Sequence, residues 1–379
     1  MKLSRSGRAL GVALVSALAL GACGSDDNTG TSSGGSADAG SSAASGGSGA
    51  TGTLNGEGSS AQKNAILQVI ADFQTANSGA TVNYNATGSG AGIKQFLAGQ
   101  VDFAGSDSAL KTEAAEGGAT SEVDSAKERC GGNEAWNLPL VAGPIAISYN
   151  LPGVDKLVLT PDVAAKIFKG DIKTWNDPAI AAVNASATLP SSPIKVFFRS
   201  DESGTTDNFQ KYLNAAAPSV WTEKPGKKWT GTVGEGKPQN DGVASATKAT
   251  SGSISYVEWS FAKKNGLSVA QLDNGAGPVE LTGESAGKAV AAATPAGTGN
   301  DLRLKVDYTT KTPGAYPIIL VTYEIVCSKG LPADKTALVK SFLAFFAGEE
   351  QQSKLENLQY APLPAEVRAK VATAIDAIS

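Results

Sequence analysis

The chain predicts an α/β architecture with mixed, largely parallel sheets. Strand-like and helix-like runs alternate along nearly its whole length, and no self-similar period points to a solenoid. Three of the strand-to-helix turns are rich in Gly, Ser and Thr. With 379 residues, the body that remains after the N-terminal segments is long enough for two domains.

Residues 1–22 carry Lys2, Arg5 and Arg8, then an apolar run over 9–20, then Leu20-Gly21-Ala22. This is the pattern of a secretory signal with a small-residue cleavage site. Cys23, directly after Leu-Gly-Ala, resembles the lipobox of bacterial lipoproteins, in which the Cys is lipidated (palmitate among the acyl chains) and becomes the mature N-terminus. The plain alternative is a signal peptide with an incidental Cys. The apolar run is too short to span a bilayer and no other stretch approaches the required length, so attachment would come from lipid alone. Residues 24–53 are almost entirely Gly, Ser, Ala, Thr, Asp and Asn. Such a segment cannot bury enough apolar area to order itself, and random-coil scaling gives it a reach of roughly 30 Å.

The body begins near Leu54. A short strand is expected over 53–56, then a helix over 59–76 with Ile66, Leu67, Ile70 and Phe73 on one stripe. Alternation of Val82, Tyr84 and Ala86 predicts a strand over 81–87, broken by Gly88-Ser89-Gly90-Ala91-Gly92 before a helix over 93–98. A buried strand over 101–105 ends at Ser106-Asp107, and the apolar run 138–149 reads as a strand through a core. Short helices over 163–168 and 178–183 flank a Gly170-Asp171 turn. Residues 194–198 predict a strand and 208–217 a helix. Strands follow over 253–259 and 317–327, and an amphipathic helix over 334–346 stacks Leu338, Phe342 and Phe345.

The composition excludes several chemistries. The chain has no His, so no Ser-His-Asp triad, Cys-His pair or His-containing zinc site can be built. Glu202-Ser203-Gly204 fails the Gly-x-Ser-x-Gly elbow, and no spacing among the carboxylates picks out a hydrolytic pair. The chain reads as a binder rather than an enzyme, with no metal and no cofactor. Net charge is −4; without Lys2, Arg5 and Arg8 it becomes (32 − 3) − 36 = −7. An acidic body without a basic stripe is a poor partner for nucleic acid. With Cys23 assigned to lipid, Cys130 and Cys327 form an even pair in an exported chain, which predicts a disulfide; two buried thiols are the alternative. Closing a loop near 200 residues long would stabilise by roughly 5 kcal/mol on chain entropy.

The most informative stretch is Arg199-Ser200-Asp201-Glu202-Ser203-Gly204-Thr205-Thr206. A strand ending in Arg, then turning through Ser-Gly-Thr-Thr into a helix, gathers a guanidinium, hydroxyls and unpaired backbone N–H groups at one point, all donors suited to a small oxyanion. Alone it could be an ordinary helix N-cap beside a surface Arg. Gly56-Glu57-Gly58-Ser59-Ser60 and Gly88-Ser89-Gly90-Ala91-Gly92 also follow a strand and open a helix. In open α/β sheets, ligands sit beyond the carboxyl ends of strands, where such termini converge. Asp107 is the odd member: a carboxylate only accepts, so it would repel a fully ionised oxyanion and welcome one that keeps a proton. Phosphate near neutral pH can donate an O–H and sulfate cannot. Asp107 could instead cap a helix over 109–115.

These motifs, with Val101-Asp102-Phe103-Ala104-Gly105-Ser106-Asp107, Ala165-Lys166-Ile167-Phe168-Lys169-Gly170-Asp171-Ile172-Lys173-Thr174-Trp175-Asn176-Asp177 and Ser251-Gly252-Ser253-Ile254-Ser255-Tyr256-Val257-Glu258, resemble in order the phosphate-binding proteins of bacterial high-affinity phosphate ABC importers, the PstS family. The resemblance covers about residues 54–363. It implies a two-lobed, periplasmic-binding-protein-like (Venus-flytrap) fold with a hinge, closing on one inorganic phosphate. It also implies a monomer that delivers this ligand to the permease subunits, lipid-anchored at the outer face of the cell membrane. Lobe 1 would hold residues 54–142 plus 317–379, and lobe 2 residues 143–316, which puts Cys130 and Cys327 in one lobe. Carried over by position, Ser60 offers hydroxyl and N–H, Ala61 its N–H, Ser89 a hydroxyl, and Arg199 the charged clamp oriented by Asp201. Ser203, Gly204 and Thr205 donate from the helix start, and Asp107 accepts the phosphate proton. The family pattern often has Thr at the position of Ser60 and an aromatic at that of Ala61; Ser keeps the hydroxyl, whereas Ala61 loses an apolar wall.

Overall fold

The computed structural model describes residues 49–114 and 120–379; the expected signal peptide, Cys23 and most of the tether lie outside the described residues. No helix among the described residues is long and apolar enough to cross a membrane.

The fold is organised by one long strand, Ala135–Asn150, whose interior positions are all buried. Its first part pairs antiparallel with Ile319–Cys327, from Ala135 opposite Cys327 to Pro144 opposite Ile319. Its second part pairs antiparallel with Ser253–Glu258, from Ile145 opposite Glu258 to Asn150 opposite Ser253. The same ribbon therefore belongs to two sheets. On one side, Ile319–Cys327 leads antiparallel to Phe103–Ser106, then parallel to Gly52–Gly58 and Ala80–Asn85. On the other, Ser253–Glu258 leads parallel to Lys195–Arg199 and Glu235–Lys237. The expectation of largely parallel sheets is corrected here. The outer wings are parallel, as βαβ crossovers require, but every pairing made by the shared ribbon is antiparallel.

The packing follows the two halves. One large apolar cluster surrounds Ile145, Tyr149, Phe168, Trp175, Phe209 and Trp221. The other half has a layer on each face of its sheet. One contains Phe73, Phe342 and Phe346 from the helices Lys63–Ala76 and Ala333–Ala347, packed on Phe103 of the sheet. The other contains Ile93, Phe96, Val321 and the Cys130–Cys327 disulfide, with Cα atoms 5.5 Å apart. This is a two-lobed α/β fold of mixed sheets. Residues 301–304 reach back to the ribbon: Asn137 N–H donates to Asp301 Oδ1 at 3.0 Å, and Leu302 N–H to Asn137 O at 3.1 Å.

Several elements depart from expectation. Leu67 is 44% exposed, and the buried stripe of its helix is Ala65, Ile66, Val69, Ile70 and Phe73. That helix begins at Lys63 rather than 59. The helix expected from 93 starts at Ser89 and takes the glycines into its first turn. Residues 109–114 are not helical, so no helix starts there for Asp107 to cap, and residue 115 lies outside the described residues. Helices Glu122–Arg129, Gln239–Ala249, Trp259–Asn265, Gly283–Ala291, Glu349–Glu356 and Ala365–Asp376 were not anticipated.

Candidate anion-binding site

The parallel register of the first wing sets its part of the site. Gly58 lies opposite Gly105, and the ladder continues with Ser59 N–H to Gly105 O and Gly88 N–H to Gly58 O, both 2.7 Å. Ser60 and Asp107, each two residues past that pair, therefore leave their strands side by side, with Ser89 opening the neighbouring helix. Gly58 has φ +145° and a Cβ there would lie 1.9 Å from Gly105 O, so only Gly lets the two strand ends close up.

Asp107 is 3% exposed and sits in a ring of hydroxyls. Ser59 Oγ and Thr322 Oγ1 both donate to its Oδ1, Thr322 at 2.8 Å. Ser89 Oγ lies 3.4 Å from Oδ2 and accepts the Asp107 N–H at 3.1 Å. Thr322 is delivered where the pairing of Ile319–Cys327 with the long strand shifts register, between Thr322 and Tyr323, a use of strand irregularity beside a site. Burial raises the Asp107 carboxyl above its ordinary range, and the Ser59 and Thr322 bonds, the Arg199 charge and Ser89 partly offset the rise.

The second wing supplies the cation. Arg199 ends Lys195–Arg199 and is 1% exposed. Its Nε donates to Asp201 Oδ1 at 2.8 Å and its Nη2 to Oδ2, a two-pronged grip that fixes the guanidinium plane. Burial acts to raise the Asp201 carboxyl, but the Arg199 hydrogen bond and charge, with the Gln239 N–H, hold it below its ordinary value. Arg199 Nη1 reaches Thr205 Oγ1 at 3.4 Å, and Arg199 N–H donates to Tyr256 Oη at 3.2 Å. Ser203 caps the helix Gly204–Ala216, its hydroxyl accepting the Thr206 N–H at 3.1 Å. Ser203 N–H is bonded to Lys227 O at 2.8 Å. The first-turn N–H groups that no intrahelical carbonyl can reach, those of Gly204 and Thr205, are thus left at the helix mouth.

The two wings meet at these residues. A Cβ on Gly204 would stand 2.5 Å from Ser89 Oγ and 2.6 Å from Asp107 Cβ, and one on Gly88 would stand 2.5 Å from Asp201 Oδ2. Asn208 Nδ2 donates to Asp107 O at 2.8 Å, Ser108 Oγ to Asp207 Oδ2 at 2.6 Å, and Gly90 N–H to Glu202 O at 2.9 Å. At the rim Glu202 pairs with Lys94 at 2.8 Å and with Lys228 at 3.4 Å.

Ser60, Ala61, Ser89, Asp107, Arg199, Ser203, Gly204 and Thr205 are all buried, and Asp201 grips Arg199 from the edge of the group. One detail differs from the expected role. Ala61 N–H, expected to face the anion, donates to Ser59 Oγ at 3.0 Å inside its own turn. Ala61 O accepts from Tyr360 Oη at 2.6 Å, and Ala61 packs into the large apolar cluster. Ser59 and Tyr256 stand in the quoted motifs without an assigned role, and Thr322 and Asn240 stand in none of them. Asn240 could have been found by the logic used for the other turns, since Gly236-Lys237-Pro238-Gln239-Asn240 leaves a strand and opens a helix. Thr322 lies inside an apolar strand and carries no local signal.

A family model described as the PBP superfamily domain matches residues 43–350. The chain is 48% identical to phosphate-binding protein PstS 3 of Mycobacterium tuberculosis over the full length of both chains. It is 33% identical to phosphate-binding protein PstS of Pasteurella multocida, covering 84% of this chain and 88% of that one. A solved structure of a phosphate-binding protein from Stenotrophomonas maltophilia superposes with a TM-score of 0.65 at 20% identity, over 85% of this chain and 93% of that one, a likeness in fold.

Proposed function

Because the chain belongs to the PstS family of phosphate-binding proteins, within the PBP superfamily, we propose that it captures one inorganic phosphate between its lobes, outside the cytoplasm. It then passes the ion to the permease of an ABC importer. The observation that carries this reading is the convergence of three strand-to-helix turns, from both wings, on a buried Asp107 and a buried Arg199. Arg199, held flat by Asp201, supplies the one full positive charge. Gly204 and Thr205 N–H, with the hydroxyls of Ser60, Ser89, Ser203 and Thr205, donate to the remaining oxygens. The Ala61 N–H joins them by releasing Ser59 Oγ. Asp107 takes the hydrogen bond from the ligand's own O–H, which lets singly protonated phosphate in and rejects sulfate at neutral pH.

Closure is a population shift, since donors from both lobes are met together only when the lobes meet. The body works as a monomer on a lipidated Cys23, through the tether over residues 24–53. We assign residues 54–142 and 317–379 to one lobe and 143–316 to the other. A thermal-shift series over phosphate, sulfate, phosphonate and molybdate tests the ligand. Phosphate at a hundred times its dissociation constant is expected to add about 2.7 kcal/mol to stability, with no matching rise for sulfate. Equal shifts for both anions, or none for phosphate, would sink this reading.

A further inference from the structure

Asn240 is fully buried in the first turn of the helix Gln239–Ala249, behind Gln239 at φ 58°. Glu258 N–H donates to its Oδ1 at 2.9 Å. That bond settles which end of the amide is oxygen, because a backbone N–H needs an acceptor. The amide nitrogen must then face the other way, and there it meets Ser60 Oγ at 3.1 Å and Thr205 Oγ1 at 3.5 Å. The Asn240 backbone N–H also points at Ser60 Oγ, at 3.2 Å.

A hydroxyl has two lone pairs and one hydrogen. At Ser60 both lone pairs are engaged by Asn240, so its hydrogen has to be given away. At Thr205 the lone pairs face Arg199 Nη1 and Asn240 Nδ2, with the same result. One amide thus touches a hydroxyl from each wing. We infer that Asn240 is a positioning residue that makes the Ser60 and Thr205 hydroxyls act only as hydrogen-bond donors towards the bound anion. Two hydroxyls so restricted match bare oxygens, which leaves the ligand's single proton for Asp107. Because Ser60 and Asn240 come from opposite wings, this orientation is set only on closure. The inference rests on the phosphate site proposed above.

The test is a double-mutant cycle read by calorimetric phosphate titration at pH 8. Asn240→Ala is expected to weaken binding about tenfold in the otherwise native protein. In a Ser60→Ala/Thr205→Val background, where no hydroxyl remains to orient, the loss is expected to shrink to twofold or less. A merely structural role would give the same loss in both backgrounds, and that result, or native affinity in Asn240→Ala itself, overturns the inference. Should Asn240→Ala fail to fold by far-UV circular dichroism, Asn240→Asp serves in the same cycle, since its added charge enters both arms and cancels. Arg199→Ala run alongside separates the two layers. Native affinity there removes the site, whereas a weakened Arg199→Ala with additive Asn240 losses removes only the role of Asn240.

Discussion

The two halves of the candidate site do different electrostatic work. The half on the wing of Gly52–Gly58 and Phe103–Ser106 centres on a carboxylate, Asp107, surrounded by the hydroxyls of Ser59, Ser89 and Thr322. The half on the wing of Lys195–Arg199 centres on a guanidinium whose charge is balanced by Asp201. On the reading proposed above, attraction for an anion and inspection of its proton belong to separate wings. A mutation at Arg199 should change strength without changing preference, and one at Asp107 should change chiefly preference.

Arg199→Ala is expected to have the largest effect on binding, about 2 kcal/mol or more, roughly a thirtyfold loss. The loss should be similar for phosphate and arsenate. Calorimetry on both anions checks this; a loss confined to one would break the division of labour. Asp107→Asn should act the other way. Its amide can donate to an unprotonated oxygen, so sulfate binding should emerge while phosphate weakens more modestly. Sulfate rejection that survives in this variant would take the proton check away from Asp107.

Glu324 sharpens the comparison from below, with the smallest expected effect on binding. It lies on the same strand face as Thr322, two residues on, and is fully buried. Neither of its oxygens makes a hydrogen bond of good geometry. Burial pushes its carboxyl up to about 8; nearby Gln62 opposes the rise and the Asp107 charge adds to it. A folded pKa above the unfolded value of 4.5 means the neutral form is favoured by folding. Stability from this group is full below about pH 4.5 and is lost as pH climbs to 8. Glu324→Gln should abolish that slope, with a gain on the order of a few kcal/mol at pH 8 and phosphate affinity within about twofold of native. Urea denaturation at pH 5 and pH 8 reads it, and a gap that fails to widen with pH would place the burden elsewhere.

What the sequence disclosed divides along lines of distance in the chain. The turn from Arg199 to Thr205 was legible because cation, cap and helix start lie within seven consecutive residues. The long-range contacts of the site were less so: Thr322 reaches Asp107 from 215 residues away and Asn240 meets Ser60 across 180. No local pattern announces such meetings. Helix starts were misjudged where side chains serve the site. Ser59 and Ser60 spend their hydroxyls on Asp107 and Asn240, and the helix begins only at Lys63. The run Gly88-Ser89-Gly90-Ala91-Gly92 looked like a breaker, yet it is helical from Ser89. A Cβ at Gly90 would stand 2.4 Å from Glu202 Cβ, and one at Gly92 2.4 Å from Glu57 O. Close approach outweighed the modest intrinsic cost of Gly in a helix. The sheets were read as largely parallel because alternation of elements cannot reveal that one strand is long enough to serve two of them.

That shared ribbon, Ala135–Asn150, ties the fates of the two halves. Side chains on a strand point to opposite faces in turn, so a single inserted residue would invert everything downstream of it unless a further register shift, like the one opposite Thr322 and Tyr323, took it up. No surface loop stands between the sheets to absorb the slip. Losing either sheet would also strip the other of part of an interior strand and leave a raw edge open to pairing with a stranger. The ribbon makes the two sheets fail as one body.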